Sequence, residues 1–277
     1  MEIYDNVAFE CGKIITHRYS TSFTLGIKTL NNKFHSPIYA IYGFVRSADE
    51  IVDSFHEYDK EALFKEFRES TNEALEKRIS INPVLQGFQI IFHKYNIGLD
   101  LVNAFLDSME MDLYHNKFSL TKYEEYIYGS AEVVGLMCLK VFCEGNSDKY
   151  ERLKEPARSL GAAFQKVNFL RDMKSDFDER GRVYFPGVDF EHFDYQDKSL
   201  IEEEIQHDFD AAYKGILKLP EGSKMGVYLA YIYYLQLFKK IKNCPAAEIK
   251  SQRIRIPDNE KLLILLESYF RHRFNFL

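Results

Sequence analysis

Apolar residues recur at three- and four-residue spacing through almost the whole chain, and that regularity restricts it to helices. The pattern predicts helical segments over 3–18, 35–55, 59–78, 84–95, 99–114, 121–144, 148–177, 197–218, 223–243 and 258–272. A strand-like alternation never persists; Arg253-Ile254-Arg255-Ile256 is the longest and stops at Pro257. Pro37, Pro83, Pro156, Pro220, Pro245 and Pro257 are expected at or near segment ends, where a missing N–H costs least. Asn82 and the pair Ser147-Asp148 are the expected helix caps, and Gly181 through Pro186 reads as an extended loop. No linker, repeat or low-complexity tract interrupts the chain, so the expectation is an all-α fold, one domain over residues 1–277.

Composition excludes several classes of function. The net charge of −6 argues against nucleic acid as a partner, since such binding rests on a cationic face. Cys11, Cys138, Cys143 and Cys244 form no CxxC pair and have no histidine at zinc spacing. Reduced thiols and a first segment broken by Glu2, Asp5, Glu10 and Lys13 lead to a cytoplasmic expectation. No run of about 18 apolar residues occurs, so any membrane contact is expected to be peripheral. Lys239-Lys240-Ile241-Lys242 and the tail Arg271-His272-Arg273 would serve it, although a solvated face is the preferred account of them. Zero Trp beside 19 Tyr and 23 Phe fits an aromatic-rich core, or an apolar cavity with hydroxyls at its mouth.

Two polar rows interrupt the apolar helices. Asp49 and Asp53 are one turn apart on the same helix face, with Arg46 three residues before Asp49. Alone, an exposed acidic face with a helical salt bridge accounts for them. The second row changes the balance: Asn168, Asp172 and Asp176 are successive four-residue steps, flanked by Gln165 and Arg171. Such a row packs badly against apolar neighbours unless it lines a polar or metal-filled cavity. Two acidic stripes could hold divalent ions with a diphosphate between them, all-oxygen donors suiting Mg²⁺. Arg46, Arg171 and Arg182 supply the forked donors that phosphates favour.

These motifs resemble the squalene/phytoene synthase family. The stretches that carry the resemblance are Tyr19-Ser20-Thr21-Ser22-Phe23, Tyr42-Gly43-Phe44-Val45-Arg46 through Asp53, Tyr126 through Gly135, and Gln165 through Pro186. Within the last, NxxRDxxxD followed by GRxYxP is specific. The resemblance implies an isoprenoid-synthase-type helical bundle around a central cavity. It implies Mg²⁺, or Mn²⁺ in its place, on Asp49, Asp53, Asp172 and Asp176 with Asn168 assisting, and a catalytic part for Tyr126. Substrate contacts are implied for Ser22, Phe23, Tyr42, Arg46, Gln165, Arg171, Arg182 and Tyr184, and, where the match loosens, for Tyr233 and Arg253.

The implied reaction is head-to-head condensation of two prenyl diphosphates, with geranylgeranyl diphosphate giving phytoene through a cyclopropyl diphosphate, and no NADPH. Squalene or dehydrosqualene synthesis from farnesyl diphosphate is the first alternative. A head-to-tail elongase or cyclase is disfavoured because Asp49 is followed by Glu50, not a second Asp. A helical lipid-binding scaffold without catalysis remains a further alternative. One departure concerns Glu132, which stands where many relatives have glycine; inside a hydrocarbon tunnel it would need a partner. Phe23, Phe44, Val133, Val134, Leu136, Met137, Leu139 and Phe164 are the candidate tunnel walls, each also explicable as core. The sequence does not fix oligomeric state.

Overall fold

A computed structural model describes residues 1–114 and 118–257, so the segment expected over 258–272 and the basic tail lie outside the described residues. The chain runs through α1 (Glu2–Tyr19), α2 (Thr21–Lys28), α3 (Asn32–Ser54), α4 (Lys60–Lys77), α5 (Pro83–Lys94) and α6 (Leu99–Tyr114). It continues through α7 (Leu120–Ile127), a π-helical turn (Tyr128–Glu132), α8 (Val133–Cys143), α9 (Ser147–Arg180), α10 (Tyr195–Ile216), α11 (Glu221–Lys242) and the short α12 (Ala246–Ile249). Arg253 through Ile256 is not a strand; its alternation buries Ile254 and Ile256 and leaves Arg253 and Arg255 exposed.

Side-chain chemistry sets most boundaries. Asn82 caps α5 by accepting from Val84 and Leu85 N–H, with Pro83 in the first turn. The cap of α9 is Asn146, one residue earlier than expected, because its Oδ1 accepts from Lys149 N–H at 2.9 Å. Asp194 and Asp197 form a capping box on α10. Gly181 ends α9 at φ 62°, a left-handed position that glycine adopts without strain.

Two prolines contradict the expectation of segment ends. Pro37 lies inside α3 and Pro156 inside α9. Pro37 sits within two turns of the α3 start, where one lost bond breaks little. Pro156 is retained by packing: a Cβ added at Gly215 of α10 would lie 2.2 Å from its ring, so only glycine lets the two helices close there.

The core is one cluster reaching from Ile27 to Ile256, with the Phe44, Phe88 and Phe105 rings at its centre. Around it α1 packs on α3 and α5, α9 on α8 and α10, and α11 on α2. The stretch Leu120–Cys143 is long and apolar enough to cross a membrane, with mean hydropathy 1.4, yet 56% of that window is buried within the protein. It is interrupted by the π-turn and forms the wall between α6 and α9. Lys240 is tied down rather than free, donating to the Arg255 carbonyl at 2.8 Å.

Candidate active site

A cavity of about 390 Å³ opens between α2, α3, α8, α9, α10 and α11, with an almost wholly apolar lining. Both acidic helices feed its polar end. From α3 come Tyr42 and Val45, the latter one turn before Asp49; from α9 come Phe164 and Asn168, the latter one turn before Asp172. Thus Asp49 and Asp172 each stand one turn beyond a residue lining the same hollow, with Asp53 and Asp176 a further turn on. Tyr234 of α11 joins the helices at that end. Its hydroxyl donates to Asn168 Oδ1 at 3.3 Å, its ring stacks on Phe164 at 3.9 Å, and it lies close enough to Tyr42 to influence its ionisation.

The charges at this end are already engaged. Arg46 bonds both Asp49 and Glu50 and lies over the Tyr19 ring at 4.4 Å. Arg171 reaches Asp172 through Nε at 3.0 Å, and Arg253, from the segment after α12, reaches the same carboxylate through Nε at 2.6 Å. The Asp172 carboxylate raises the Arg171 guanidinium above its ordinary value, outweighing burial. Burial pushes the Tyr42 phenol up to about 12. Asp176 is buried, with 9% of its surface exposed, while Asn168 and Asp172 on the same row are half-buried.

Deeper, Arg182, Tyr126 and Tyr184 form a second knot around Asp112 of α6. Tyr126 Oη donates to Asp112 Oδ2 at 2.8 Å, and Arg182 Nη1 lies 3.0 Å from Asp112 Oδ1. Burial raises the Asp112 carboxyl to about 7 despite the pull of Arg182; Asp53 and Asp49 push the same way, which places the α3 acids near this knot. Asp176 in turn acts on Tyr184. Burial, then Asp112, raises the Tyr126 phenol well above its usual value, so it keeps its proton at neutral pH.

The residues fit divalent metal with diphosphate. Among the described residues no three carboxylate, imidazole or thiol groups converge into a complete protein cage. The donors are pairs of carboxylates with an amide oxygen, which leaves coordination to water and phosphate, as Mg²⁺ prefers. Buried Arg46 Nε and Arg182 Nε have no hydrogen-bond partner among the described residues, donors that an anion would satisfy.

Other sequence expectations divide. Phe23, Val134, Leu139 and Phe164 line the cavity, whereas Phe44, Val133, Leu136 and Met137 are fully buried in the core and do not. The helical period marks which face is buried, not which buried face meets a void. Ser20 lines the cavity and caps α2 through Phe23 N–H, while Ser22 does neither. Gln165 is half-buried on α9, outside the lining, and Tyr233 yields its place in the lining to Tyr234, against which it packs edge-on at 5.6 Å. Two residues at the site were not singled out from the sequence, Asp112 and Tyr234. Asp112 had a signal: it extends the buried stripe Val102, Phe105, Met109 by three residues, so an acid had to be buried.

Glu132 faces away from the cavity. It accepts from Arg158 Nε at 2.6 Å on α9, with the guanidinium over the Tyr128 ring. The π-turn that ends at Glu132 carries an extra residue, which turns this position toward α9 while Ser130, Ala131 and Val134 face the hollow. Arg158→Ala is expected to cost about 1 kcal/mol, a modest figure because Arg158 is partly exposed, and to leave turnover within about twofold. Denaturant midpoints and initial rates check this, and Glu132→Gln in the Arg158→Ala background should recover part of the stability.

Known proteins resemble the chain over nearly its whole length. A 15-cis-phytoene synthase of Synechocystis sp. is 25% identical over 295 residues, covering 95% of this chain and 85% of that protein. A phytoene synthase of Arthrospira platensis is 25% identical over 291 residues, covering 96% and 94%. Among solved structures, a ligand-bound dehydrosqualene synthase superposes with TM-score 0.81 at 20% identity, covering 97% of this chain and 98% of that one. The squalene synthase HpnC from Alicyclobacillus acidocaldarius gives 0.76 at 18% identity, covering 87% and 95%. The sequence profile described as squalene/phytoene synthase matches residues 16–260, a span that includes both acidic helices, the Asp112 knot and the cavity between them, and the chain therefore belongs to that family.

Proposed function

We propose that this protein condenses two prenyl diphosphates head to head, and that its natural reaction joins two geranylgeranyl diphosphates into phytoene. The carrying observation is that both carboxylate helices line one shared apolar cavity one turn before their first aspartate. The curated relatives named phytoene synthase favour the twenty-carbon substrate over the fifteen-carbon one. Family membership implies a divalent metal; Mg²⁺ on Asp49, Asp53, Asp172 and Asp176, with Asn168 assisting, is the finer reading. Bound cations neutralise the departing diphosphate and so lower the cost of ionising an allylic C–O bond.

The chain's own groups do the rest. Arg46, Arg171 and Arg182 hold diphosphate oxygens, with Arg253 turning from Asp172 to the same anion. The apolar walls exclude water from the allylic cation while the double bond of the second substrate attacks it. Loss of a proton closes the cyclopropane; ionisation of the remaining diphosphate, rearrangement and a second proton loss give the hydrocarbon. Tyr126, held protonated with its one proton donated to Asp112, braces the site and is not the base.

Incubation with geranylgeranyl diphosphate and Mg²⁺, followed by hydrocarbon extraction, should yield a product with conjugated-triene absorbance, with no need for NADPH. EDTA should reduce turnover at least about a hundredfold, and excess Mg²⁺ should restore it. A product formed only from farnesyl diphosphate with NADPH would move the assignment to squalene synthesis. No product from either substrate would leave only the non-catalytic reading.

A further inference from the structure

We propose that Asp112 is a positioning residue of this site, clamping the Tyr126 phenol and the Arg182 guanidinium in the gap between the two aspartate helices. Asp112 belongs to α6, which carries neither acidic motif, and it is buried with 7% of its surface exposed. Both carboxylate oxygens and the main-chain carbonyl approach two site groups, Oδ1 through an ion pair without a hydrogen bond. Oδ2 accepts from Tyr126 at 2.8 Å, Oδ1 lies 3.0 Å from Arg182 Nη1, and its main-chain carbonyl accepts from Arg182 Nη2. Arg182 Nη1 also donates to Tyr184 Oη at 3.3 Å.

The clamp reaches α9 through rigid rings. Tyr184 stacks on Phe169 at 4.0 Å and 8°, and Phe169 is the neighbour of Asn168 on α9. Tyr126 lies 5.3 Å from Tyr184 and 6.0 Å from Phe169. On the other side the charges of Asp49 and Asp53 are felt at Asp112. The backbone beneath is equally constrained: a Cβ at Gly129, in the π-turn after Tyr126, would lie 2.3 Å from the Ala104 carbonyl and 2.6 Å from Ser108 Cβ of α6. The α6 helix and the π-turn are therefore locked together, and Asp112 joins Tyr126 to Arg182 across that contact. Replacing a whole buried ion pair by apolar packing is often neutral for stability, so stability is a weak reason for an acid at this position. Holding the Arg182 guanidinium, whose Nε has no partner among the described residues, and the Tyr126 ring at fixed points beside a diphosphate is a stronger one.

The inference rests on the diphosphate-handling reading, and its test separates the two. Asp112→Asn keeps the volume and an acceptor for Tyr126 but frees Arg182 from its counter-charge. Expected with geranylgeranyl diphosphate is a fall in kcat of about a hundredfold with KM not raised, since the donors are displaced while the site becomes more cationic. Inorganic pyrophosphate with Mg²⁺, measured by calorimetry, should bind no more weakly than to the wild type. On a Tyr126→Phe background the same substitution should cost less than about thirtyfold, the Arg182 share alone remaining. A kcat within about twofold of wild type, or losses that multiply in the double variant, would overturn the proposal. A second arm needs no turnover: in protein carrying ¹³C-labelled tyrosine, the Tyr126 signal should shift on adding Mg²⁺ and pyrophosphate, and Asp112→Asn should abolish that shift. A wild-type Tyr126 signal that stays unmoved by bound pyrophosphate overturns the proposal. A shift that persists alongside absent condensation of any prenyl diphosphate sinks the proposed function and leaves the clamp standing.

Discussion

Asp172→Asn is expected to reduce turnover about a thousandfold while the protein stays folded. Its carboxylate stands one turn past Asn168 at the polar end of the cavity and is approached by two guanidiniums, Arg171 and Arg253. Asparagine keeps the size and one acceptor oxygen but removes the charge that a cation needs, so the loss falls on ionisation. Folding should suffer less. Arg253 is exposed and simply returns to water, and only Arg171 is left half-buried without its counter-charge, a cost of about 1 kcal/mol once solvent screening is allowed for. Asp49→Asn should lose activity similarly and perturb stability less, because Arg46 keeps Glu50. Asp178→Asn is the control: it lies on the same helix, bonded to Lys174 at the surface, and should leave turnover within about twofold. Single-turnover hydrocarbon yield and thermal midpoints measure the two effects separately. Activity above about a tenth of wild type in both Asp172→Asn and Asp49→Asn would falsify the metal-bridged reading of the site.

The helical class and the acidic rows were readable because both are one-dimensional: a period of 3.6 and a step of four survive translation into space unchanged. What escaped was relational. The eight-residue α2 is too short to impose a period, and its cap, Ser20, turned out to line the cavity in place of Ser22. The π-turn uses the same residues as an α-helix and adds one, so the sequence gives no warning that the face presented after Tyr128 rotates. That rotation is why Glu132, alarming as a tunnel residue, is an ordinary partner for Arg158. It also explains why three of the five expected α8 wall residues, Val133, Leu136 and Met137, are core. Tyr233 and Tyr234 differ by 100° around α11, and only packing against Phe164 decides which one meets Asn168. Pro156 broke the rule for proline because its ring fits against Gly215, a pairing 59 residues apart that local pattern cannot contain.

Gly226→Ala is expected to shift the enzyme toward shorter substrates. Gly226 of α11 lines the cavity beside Gly26, Ile27 and Leu30, far along the chain from the acidic rows. A Cβ there would lie 2.4 Å from Leu30 Cδ2 and 2.8 Å from the Gly26 carbonyl oxygen. The two obstacles respond differently. The Leu30 side chain can rotate, and because it already lines the hollow, rotation takes up space a prenyl tail would use. The Gly26 oxygen belongs to the backbone and moves only if α2 and α11 separate. Overpacking of this kind costs about 1–3 kcal/mol, visible as a lower thermal midpoint. In the cavity, losing room for even one or two methylenes discriminates by about 10–200-fold, so kcat/KM for geranylgeranyl diphosphate should fall at least about tenfold relative to farnesyl diphosphate. Leu30→Ala in the same background should remove the side-chain clash, though not the one with the Gly26 oxygen, and return the preference to the longer chain. Unchanged selectivity in Gly226→Ala, with the protein folded, would mean that prenyl tails do not reach the Leu30 end and that the apolar hollow is deeper than the substrate uses.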